Sequence, residues 1–220
     1  MSQAQWTNLL LNGLWDTLYM TVPSTLLAYL IGMPLGILFV VTGESHILPK
    51  PRLNAGLGVV INFLRSIPFI ILLAMLIPVT RMVMGSGIGT RSLIFPLFIS
   101  AFPFVARMVE GSLNEVDRGV VEAAESMGSS TWQIIFKVML PEALPSLING
   151  AAIVTVTILG YTAMASAAGG GGLGSIAITK GLNVRKMDVM YAASITLVAL
   201  VQIITISGSR ANKKLDHRKR

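Results

Sequence analysis

Residue types that commonly perform chemistry are scarce in this sequence. It has no cysteine and only two histidines, which leaves little for thiolate metal sites, thiol nucleophiles or histidine catalysis. The pattern Gly169-x-Gly171-x-x-Gly174 fits the dinucleotide fingerprint, but an apolar helical run precedes it where the fingerprint requires a strand, so we expect a flexible loop there. No G-x-x-x-x-G-K-[ST] phosphate-binding motif occurs. We therefore predict no catalytic residue, no metal site and no ATP hydrolysis by a P-loop in this chain.

The charges that interrupt apolar runs are the remaining candidates. Arg65 lies in an otherwise uncharged run from Leu53 to Thr80, and an arginine at a helix centre costs about 2.5 to 3.5 kcal/mol on insertion scales. Either Arg65 reaches the cytoplasmic surface from a helix that starts near Asn62, or it faces the helix bundle and pairs with carbonyls or with Glu110. Arg107 and Glu110 are three residues apart and are expected to pair with each other. Arg65 is therefore a candidate structural or pathway charge.

The elements that position these residues are predicted to lie in a membrane. The 220 residues are 53% hydrophobic and 12% charged, with a mean hydropathy of +0.72, whereas soluble domains are about a quarter charged. A spanning helix needs about 20 mostly apolar residues. Runs with few charges predict one all-α transmembrane domain over residues 1–210, with five helices near 18–42, 57–80, 91–112, 145–168 and 188–208.

The distribution of cations predicts the orientation of these helices. No lysine or arginine precedes Lys50, which argues against a cleaved signal peptide, so we expect the first helix to stay in the membrane. With the N-terminus outside and the C-terminus inside, the positive-inside rule is satisfied. The basic tail at 211–220 then lies in the cytoplasm, where it suits an anionic lipid surface. The cytoplasmic side also holds Lys50, Arg52, Arg107, Arg118, Lys137 and Arg210.

The polar segment at 115–142 is the main candidate functional loop. Asp117 is a suitable N-cap for a first short helix, and Gly128 suits the left-handed position that ends it. Ser130 and Gln133 form a capping-box pattern that starts a second helix. Pro141 and Pro145 are expected to mark the exit of that helix into the fourth span. The pattern predicts two short helices around a glycine turn at the inner face of the membrane.

Two other interpretations of this loop were weighed. A DNA-binding helix-turn-helix has the same outline, but both ends of this loop enter the bilayer and Lys137 is the only cation of the second helix, so no nucleic acid is expected as a partner. An amphipathic connector that lies in the membrane interface stays open on the residue pattern. In that case the side chains in lipid would be Ile134, Ile135, Val138 and Met139.

The sequence of the loop and its flanks resembles a known transporter family. Glu122-Ala123-Ala124, followed by Gly128, Ile135 and Leu140-Pro141, resembles the EAA motif of ABC importer permeases. Four further blocks are similar to the methionine importer permeases in particular, and the resemblance covers most of the chain from Ile61 to Gly174. These blocks are Arg65 to Ile70, Ala106 to Glu110, Leu140 to Pro145, and Gly160 to Met164 followed by Gly171 to Gly174.

This resemblance implies a non-catalytic permease subunit of an ATP-driven importer in the bacterial cytoplasmic (inner) membrane. The cargo would be methionine or a related amino acid; another small amino acid or a peptide stays open. The implied partners are a second copy, membrane lipid, an extracytoplasmic amino-acid-binding protein, and two cytoplasmic ATPase subunits that bind ATP and Mg. The short helices would dock on the ATPase through Glu122, Ala123, Ala124, Gly128, Ile135, Leu140 and Pro141.

An ATP-independent carrier or channel is the alternative from another class. Carriers that are coupled to protons or ions usually place carboxylates inside the membrane, and no acidic residue lies in the middle of any predicted span. A channel would leave the two-helix cytoplasmic loop without a role. Both observations favour the ATP-driven importer.

The fourth span is the candidate wall of the translocation pathway. Thr157, Gly160 and Met164 share one helical face, with Tyr161 beside it. Met164 is the one long apolar side chain among small residues at 163–168. Two copies of Met164 that meet on a two-fold axis could close the pathway. The alternative is that Met164 fills core or lipid-facing space.

Overall fold

The structure is a computed structural model that describes residues 3–44 and 46–215. Within these ranges the regular elements are helical and no strand occurs, so the all-α prediction is confirmed. The last residues of the predicted basic tail, from 216 onwards, lie outside the described part of the chain. The principal helices are α1 (Gln3–Val41), α2 (Pro51–Ser66), α3 (Phe69–Met84), α4 (Ile94–Asn114), α5 (Arg118–Ser126), α6 (Thr131–Met164), α7 (Leu173–Leu182) and α8 (Met187–Leu215).

Four of these helices are long and apolar enough to cross a membrane: α1, α4, α6 and α8. The pair α2 and α3 adds a fifth candidate only if the two helices are counted together as one bent span. α1 begins at Gln3, well before the expected start near residue 18. The segment after residue 168 is not all loop, because a short apolar helix, α7, follows it.

The expectation of one uninterrupted helix over 57–80 is wrong. The structure ends α2 at Ser66 and begins α3 at Phe69. Pro68 has a ψ of 136°, far from helical values, and a proline also disfavours the helical conformation of the residue before it. The apolar run continues across the break, so hydropathy gave no sign of it.

The residues group into two compact units. The first comprises the N-terminal residues through Leu27, Ile67–Ala101 and Val154–Thr205. Part of its core is a cluster in which Ile176, Ala177, Val189 and Ala193 are buried, with Trp6 packed against them. α7 and the start of α8 are therefore fixed by apolar burial.

The second unit comprises Ala28–Ser66, Phe102–Ile153 and the residues from Ile206 onwards. Its core includes Phe39, Ile61 and Ala106. α1 approaches α4 closely at Gly36, where an added Cβ would lie 2.6 Å from both the Ala106 carbonyl oxygen and the Val109 Cβ. The absence of a side chain at Gly36 permits this contact, as is typical of tightly packed membrane helices.

Candidate functional site

Helix α5 presents at the surface the Glu122-Ala123-Ala124 segment, which resembles the start of an EAA motif. The Asp117 Oδ1 atom accepts a hydrogen bond from the Gly119 N–H at 2.7 Å, so the predicted N-cap is confirmed. Ala124 is 3% exposed and anchors the helix. Glu122 and Ala123 are exposed on the same helix. The motif therefore divides into one anchor and two residues that a partner can contact.

Gly128 occupies the left-handed conformation that its position predicts. Its φ is +78°, and a Cβ built at this residue would meet no atom within 4 Å. The requirement for glycine therefore comes from the backbone conformation and not from lack of space. This turn sets the direction of α6 relative to α5.

The start of α6 has the predicted capping box. The Gln133 N–H donates to the Ser130 Oγ, and the Ser130 N–H donates to the Gln133 Oε1 at 2.8 Å. The second helix does not end at Pro141, however, because α6 continues to Met164. A π-helical stretch at Ile134–Met139 comes just before the proline, and this local change of hydrogen bonding accompanies the residue that has no N–H to donate.

Among the residues predicted to dock on the ATPase, those that follow Gly128 are less exposed than Glu122 and Ala123. Ile135 is 6% exposed, Leu140 is half-buried, and Pro141 is exposed. The side chains of Ile134 and Met139 are also buried in the protein. The side chains of Ile134, Ile135 and Met139 are therefore not inserted in bulk lipid, as the interfacial arrangement would require.

Two aromatic side chains that sequence reasoning did not select are exposed on this segment. Trp132 is 70% exposed and Phe136 is 54% exposed. Their rings stack with centroids 5.5 Å apart and planes 14° apart. Their spacing of four residues was the available signal, because it places both side chains on one face of a helix.

A polar cavity of about 450 Å³ lies beside α5. His46 and Arg118 line it together with the carboxylates of Glu122 and Glu125. Burial lowers the pKa of His46 below 6.5, and the charge of Arg118 lowers it further. At neutral pH the imidazole is therefore uncharged, and the cavity combines an arginine with two carboxylates.

The charged residues near the end of α4 form the predicted pair. Arg107 Nη1 lies 2.7 Å from Glu110 Oε2. Arg107 Nη2 also donates to Asn62 Oδ1 at 2.9 Å, and the guanidinium lies 4.4 Å from the centroid of the Phe39 ring. Arg107 thereby ties α4 to both α1 and α2. The Arg107 Nε atom is buried and makes no hydrogen bond.

Arg65 does not form a buried ion pair with Glu110. Its side chain is exposed, and its guanidinium lies 5.9 Å from the centroid of the Phe104 ring. The Glu110 carboxylate contacts Arg107 instead. The interpretation of Arg65 as a surface-reaching residue is the one that this exposure favours.

The candidate pathway residues lie near the end of α6. Met164 is 52% exposed, and a Cβ built at Gly160 would meet no atom within 4 Å. Tyr161 stacks on Phe69 with ring centroids 4.6 Å apart and planes 7° apart, and Thr157 is half-buried. Gly160 and Met164 thus form an open strip one helical turn apart, and the Phe69 ring fixes the neighbouring Tyr161.

The glycine run after α6 is packed, which differs from the expected flexible loop. The Gly171 N–H donates to Thr90 Oγ1 at 3.1 Å, and the Leu173 N–H donates to Thr17 Oγ1 at 2.9 Å. A Cβ at Gly174 would lie 2.3 Å from the Ala163 Cα. The glycines therefore permit close approach of the backbone to neighbouring helices, and they do not cradle a phosphate.

Within residues 3–44 and 46–215, no group of three or more histidine, aspartate or glutamate side chains is arranged to hold a metal ion. The site chemistry is that of surfaces and packing: an exposed acidic helix, a rigid glycine turn, an aromatic pair and an open strip on a long helix.

Comparison with known proteins shows the family to which the chain belongs. Residues 32–220 match the family described as the binding-protein-dependent transport system inner membrane component. The chain belongs to this family. As a member of a family of inner membrane components with several helices of spanning length, it is a multi-pass membrane protein.

Individual members of the family are similar over nearly the whole chain. The probable D-methionine transport system permease protein MetI of Vibrio cholerae is 44% identical, over 98% of this chain and 97% of the relative. The protein of the same name from Haemophilus influenzae is 48% identical, over 93% and 96%. A chain of the methionine ABC transporter MetNI, solved in inward-facing conformations, is 42% identical with a TM-score of 0.95, and the match covers 99% of this chain and 100% of that one.

Proposed function

We propose that this chain is the permease subunit of an importer that moves methionine, or a closely related amino acid, across a bacterial inner membrane. The observation that carries the proposal is the correspondence with a chain of a solved methionine ABC transporter, at a TM-score of 0.95 over 99% of the residues. The names of the relatives that are 44% and 48% identical support the same cargo.

In the proposed topology the N-terminus is outside, the C-terminus is inside, and the α2–α3 pair counts as the second of five spans. This places α5, Gly128 and the first residues of α6 in the cytoplasm. The sequence has no G-x-x-x-x-G-K-[ST] motif. ATP and Mg are therefore assigned to two separate ATPase subunits.

The loop is proposed to act as a mechanical coupling element. Glu122, Ala123 and Gly128 would contact the ATPase, since all three are exposed. Ala124 and Ile135 are buried and would transmit the movement to the rest of the chain, with Leu140 and Pro141 at the base of α6. A rigid two-helix unit can pass on a displacement because packed elements move as bodies.

The pathway is proposed to lie on the two-fold axis of a homodimer. The open strip at Gly160 and Met164 would form one wall of the pathway, and a second copy would supply the facing wall. An extracytoplasmic binding protein would deliver the amino acid to the outward-facing state. ATP binding would shift the population between the inward-facing and outward-facing conformations, because ATP would bind more tightly to the transporter in one conformation than in the other.

Co-purification and hydrolysis measurements test this function. We expect the chain to co-purify with an ABC ATPase and to make ATP hydrolysis dependent on the binding protein and its ligand. Hydrolysis stimulated by methionine-loaded binding protein would support the proposed cargo. A chain that purifies without an ATPase and lets an amino acid equilibrate without ATP would favour the carrier or channel alternative.

A further inference from the structure

The second compact unit contains a large apolar groove to which the proposed function assigns no ligand. Its volume is about 840 Å³. One wall is the inner part of α1, including Leu30, Met33 and Ile37, and the other is the start of α6, including Trp132 and Phe136. None of its lining residues carries a charge; the remaining ones are Tyr29, Pro34, Leu38, Val41, Leu48, Ser130, Thr131, Ile135 and Leu140.

The groove exists because α1 packs through a different face. At Gly36 and Gly32 the helix lies against Val105 and Val109 of α4. Leu30 and Met33 line the groove at helical spacing, on a face of α1 that does not pack against α4. Leu30 is 71% exposed, nearly the same as Trp132.

The surroundings of the groove indicate what fills it. The α1 residues that line it belong to a candidate membrane span, Gln5–Val41, so hydrocarbon is the medium that this face meets. Trp132 and Phe136 are exposed aromatics at the point where α6 begins, a position that suits the boundary between hydrocarbon and headgroups. Lys137 is the residue after Phe136 and is exposed, so a cation next to the aromatic pair in the sequence is available to a lipid phosphate.

Two protein occupants fit less well. The residues proposed to contact the ATPase directly, Glu122, Ala123 and Gly128, do not line the groove. Ile135 and Leu140 do line it, but their proposed role is to transmit movement and not to contact the ATPase. The strip proposed to meet a second copy is near Gly160 and Met164, at the other end of α6. A lipid in the groove would compete neither with the proposed ATPase contact nor with the proposed contact to a second copy.

We propose that this groove binds a phospholipid, with an acyl chain between α1 and the Trp132–Phe136 pair and the phosphate beside Lys137. The assignment to the cytoplasmic leaflet rests on the proposed topology, whereas the binding itself does not. The bound lipid would fill the space between α1 and the coupling loop and so keep the loop at a fixed distance from α1.

Tryptophan fluorescence provides a direct test in the full-length chain purified in detergent. The sequence has three tryptophans, so Trp6→Phe with Trp15→Phe leaves Trp132 as the only reporter. Phosphatidylglycerol with brominated acyl chains quenches indole on contact. We expect quenching of Trp132 to saturate when lipid and chain are equimolar. The matched control keeps Trp15 instead, which is equally exposed at 70% but lies outside the groove, and it should show no saturation.

Substitutions then locate the site. Leu30→Asn should raise the lipid concentration for half-quenching about tenfold, since a lost apolar contact and a desolvated amide together exceed about 1.4 kcal/mol. Leu26→Asn is its control, four residues away and 66% exposed but outside the groove, and should have no such effect. Lys137→Gln should weaken binding and reduce its dependence on salt.

The proposal is overturned if Trp132 and Trp15 are quenched in parallel, which would show only mixing of lipid with the detergent. It is also overturned if adding the ATPase prevents quenching of Trp132, because the groove would then be a protein-docking surface. The measurement requires neither transport nor ATP hydrolysis. Failure here therefore leaves the proposed transport function standing, and failure of transport leaves saturable lipid binding intact.

Discussion

At the residue scale, Gly128 shows how a single backbone angle determines the geometry of the coupling loop. Its φ of +78° lies in the left-handed region, and the space around it is open. An L-residue there would cost about 1 to 2 kcal/mol, because its Cβ crowds the following carbonyl oxygen, although it would meet no other part of the chain within 4 Å. Asparagine tolerates this region better than β-branched residues do.

We expect Gly128→Val to uncouple transport while the chain still inserts in the membrane. Gly128→Asn, the control for side-chain size, should keep most of the uptake because it preserves the turn. Uptake and ATPase association are measured for both variants in matched membranes. Normal uptake and normal association in the valine variant would exclude a required left-handed turn.

His46 should make stability depend on pH. Burial and Arg118 lower its pKa below 6.5, while Glu122 and Glu125 also line its cavity. The folded state therefore resists protonation, and the unfolded chain accepts a proton near the ordinary pKa of 6.5. As pH falls through 6.5, the unfolded state binds more protons and the free energy of unfolding decreases.

Unfolding of the purified chain in detergent, followed by circular dichroism at several pH values, checks this dependence. His46→Gln should remove the decrease in the free energy of unfolding that begins as the pH falls through 6.5. A wild-type chain whose stability is unchanged or rises on acidification through this range would contradict the assignment.

Met164 is the residue proposed to close the pathway. Met164→Ala should preserve insertion and ATPase docking but increase leak of the cargo and make hydrolysis less dependent on the binding protein. Single cysteines at residue 164 should crosslink two permease copies, against a native background without cysteine. A variant that neither leaks nor crosslinks would remove Met164 from the dimer axis.

At the element scale, the contact of α1 with α4 depends on the missing side chain at Gly36. Gly36→Ala places a Cβ 2.6 Å from the Ala106 carbonyl oxygen, and overpacking of this kind costs about 1 to 3 kcal/mol. Gly56 of α2 is the control, since its added Cβ would meet no atom within 4 Å.

We expect Gly36→Ala to lower the unfolding midpoint in detergent. Gly56→Ala should raise stability by about 0.5 to 1 kcal/mol, because alanine is the better helix former. Equal effects of the two substitutions would mean that helix propensity, and not the α1–α4 contact, determines the outcome.

The features predicted correctly from sequence are those fixed by neighbours within a few residues. The Asp117 cap, the Gly128 turn, the Ser130 capping box and the Arg107–Glu110 pair all depend on local spacing. Their partners are at most three residues away, so residue type and position are sufficient to predict them.

The features that sequence did not predict either depend on distant parts of the chain or lie within runs of continuous hydropathy. The packing of the glycine run requires Thr17 and Thr90, which are 156 and 81 residues from the N–H groups that they bind. The break before Phe69 was concealed by an apolar run that continues through Pro68. The continuation of α6 past Pro141 relies on a π-helical stretch, for which hydropathy gives no signal.

At the scale of the whole molecule, the account requires five spans with opposite locations for the two termini. Cysteines introduced singly at Asn12, Ser86 and Asn183 should react with an impermeant thiol reagent from outside, and cysteines at Ser129 and Ser209 should not. Whole cells or right-side-out vesicles suffice for this measurement. Outside labelling at Ser129 would overturn the cytoplasmic location of the coupling loop.

The central claim, that this chain is the membrane pathway of an ATP-driven methionine importer, is tested most directly by transport into proteoliposomes. The full chain is reconstituted with its ATPase, and the binding protein and radiolabelled methionine are supplied from outside. The account predicts accumulation above the external concentration that requires ATP inside, requires the binding protein, and is lost with Gly128→Val. Accumulation that proceeds without ATP, or that follows an imposed ion gradient, would contradict it.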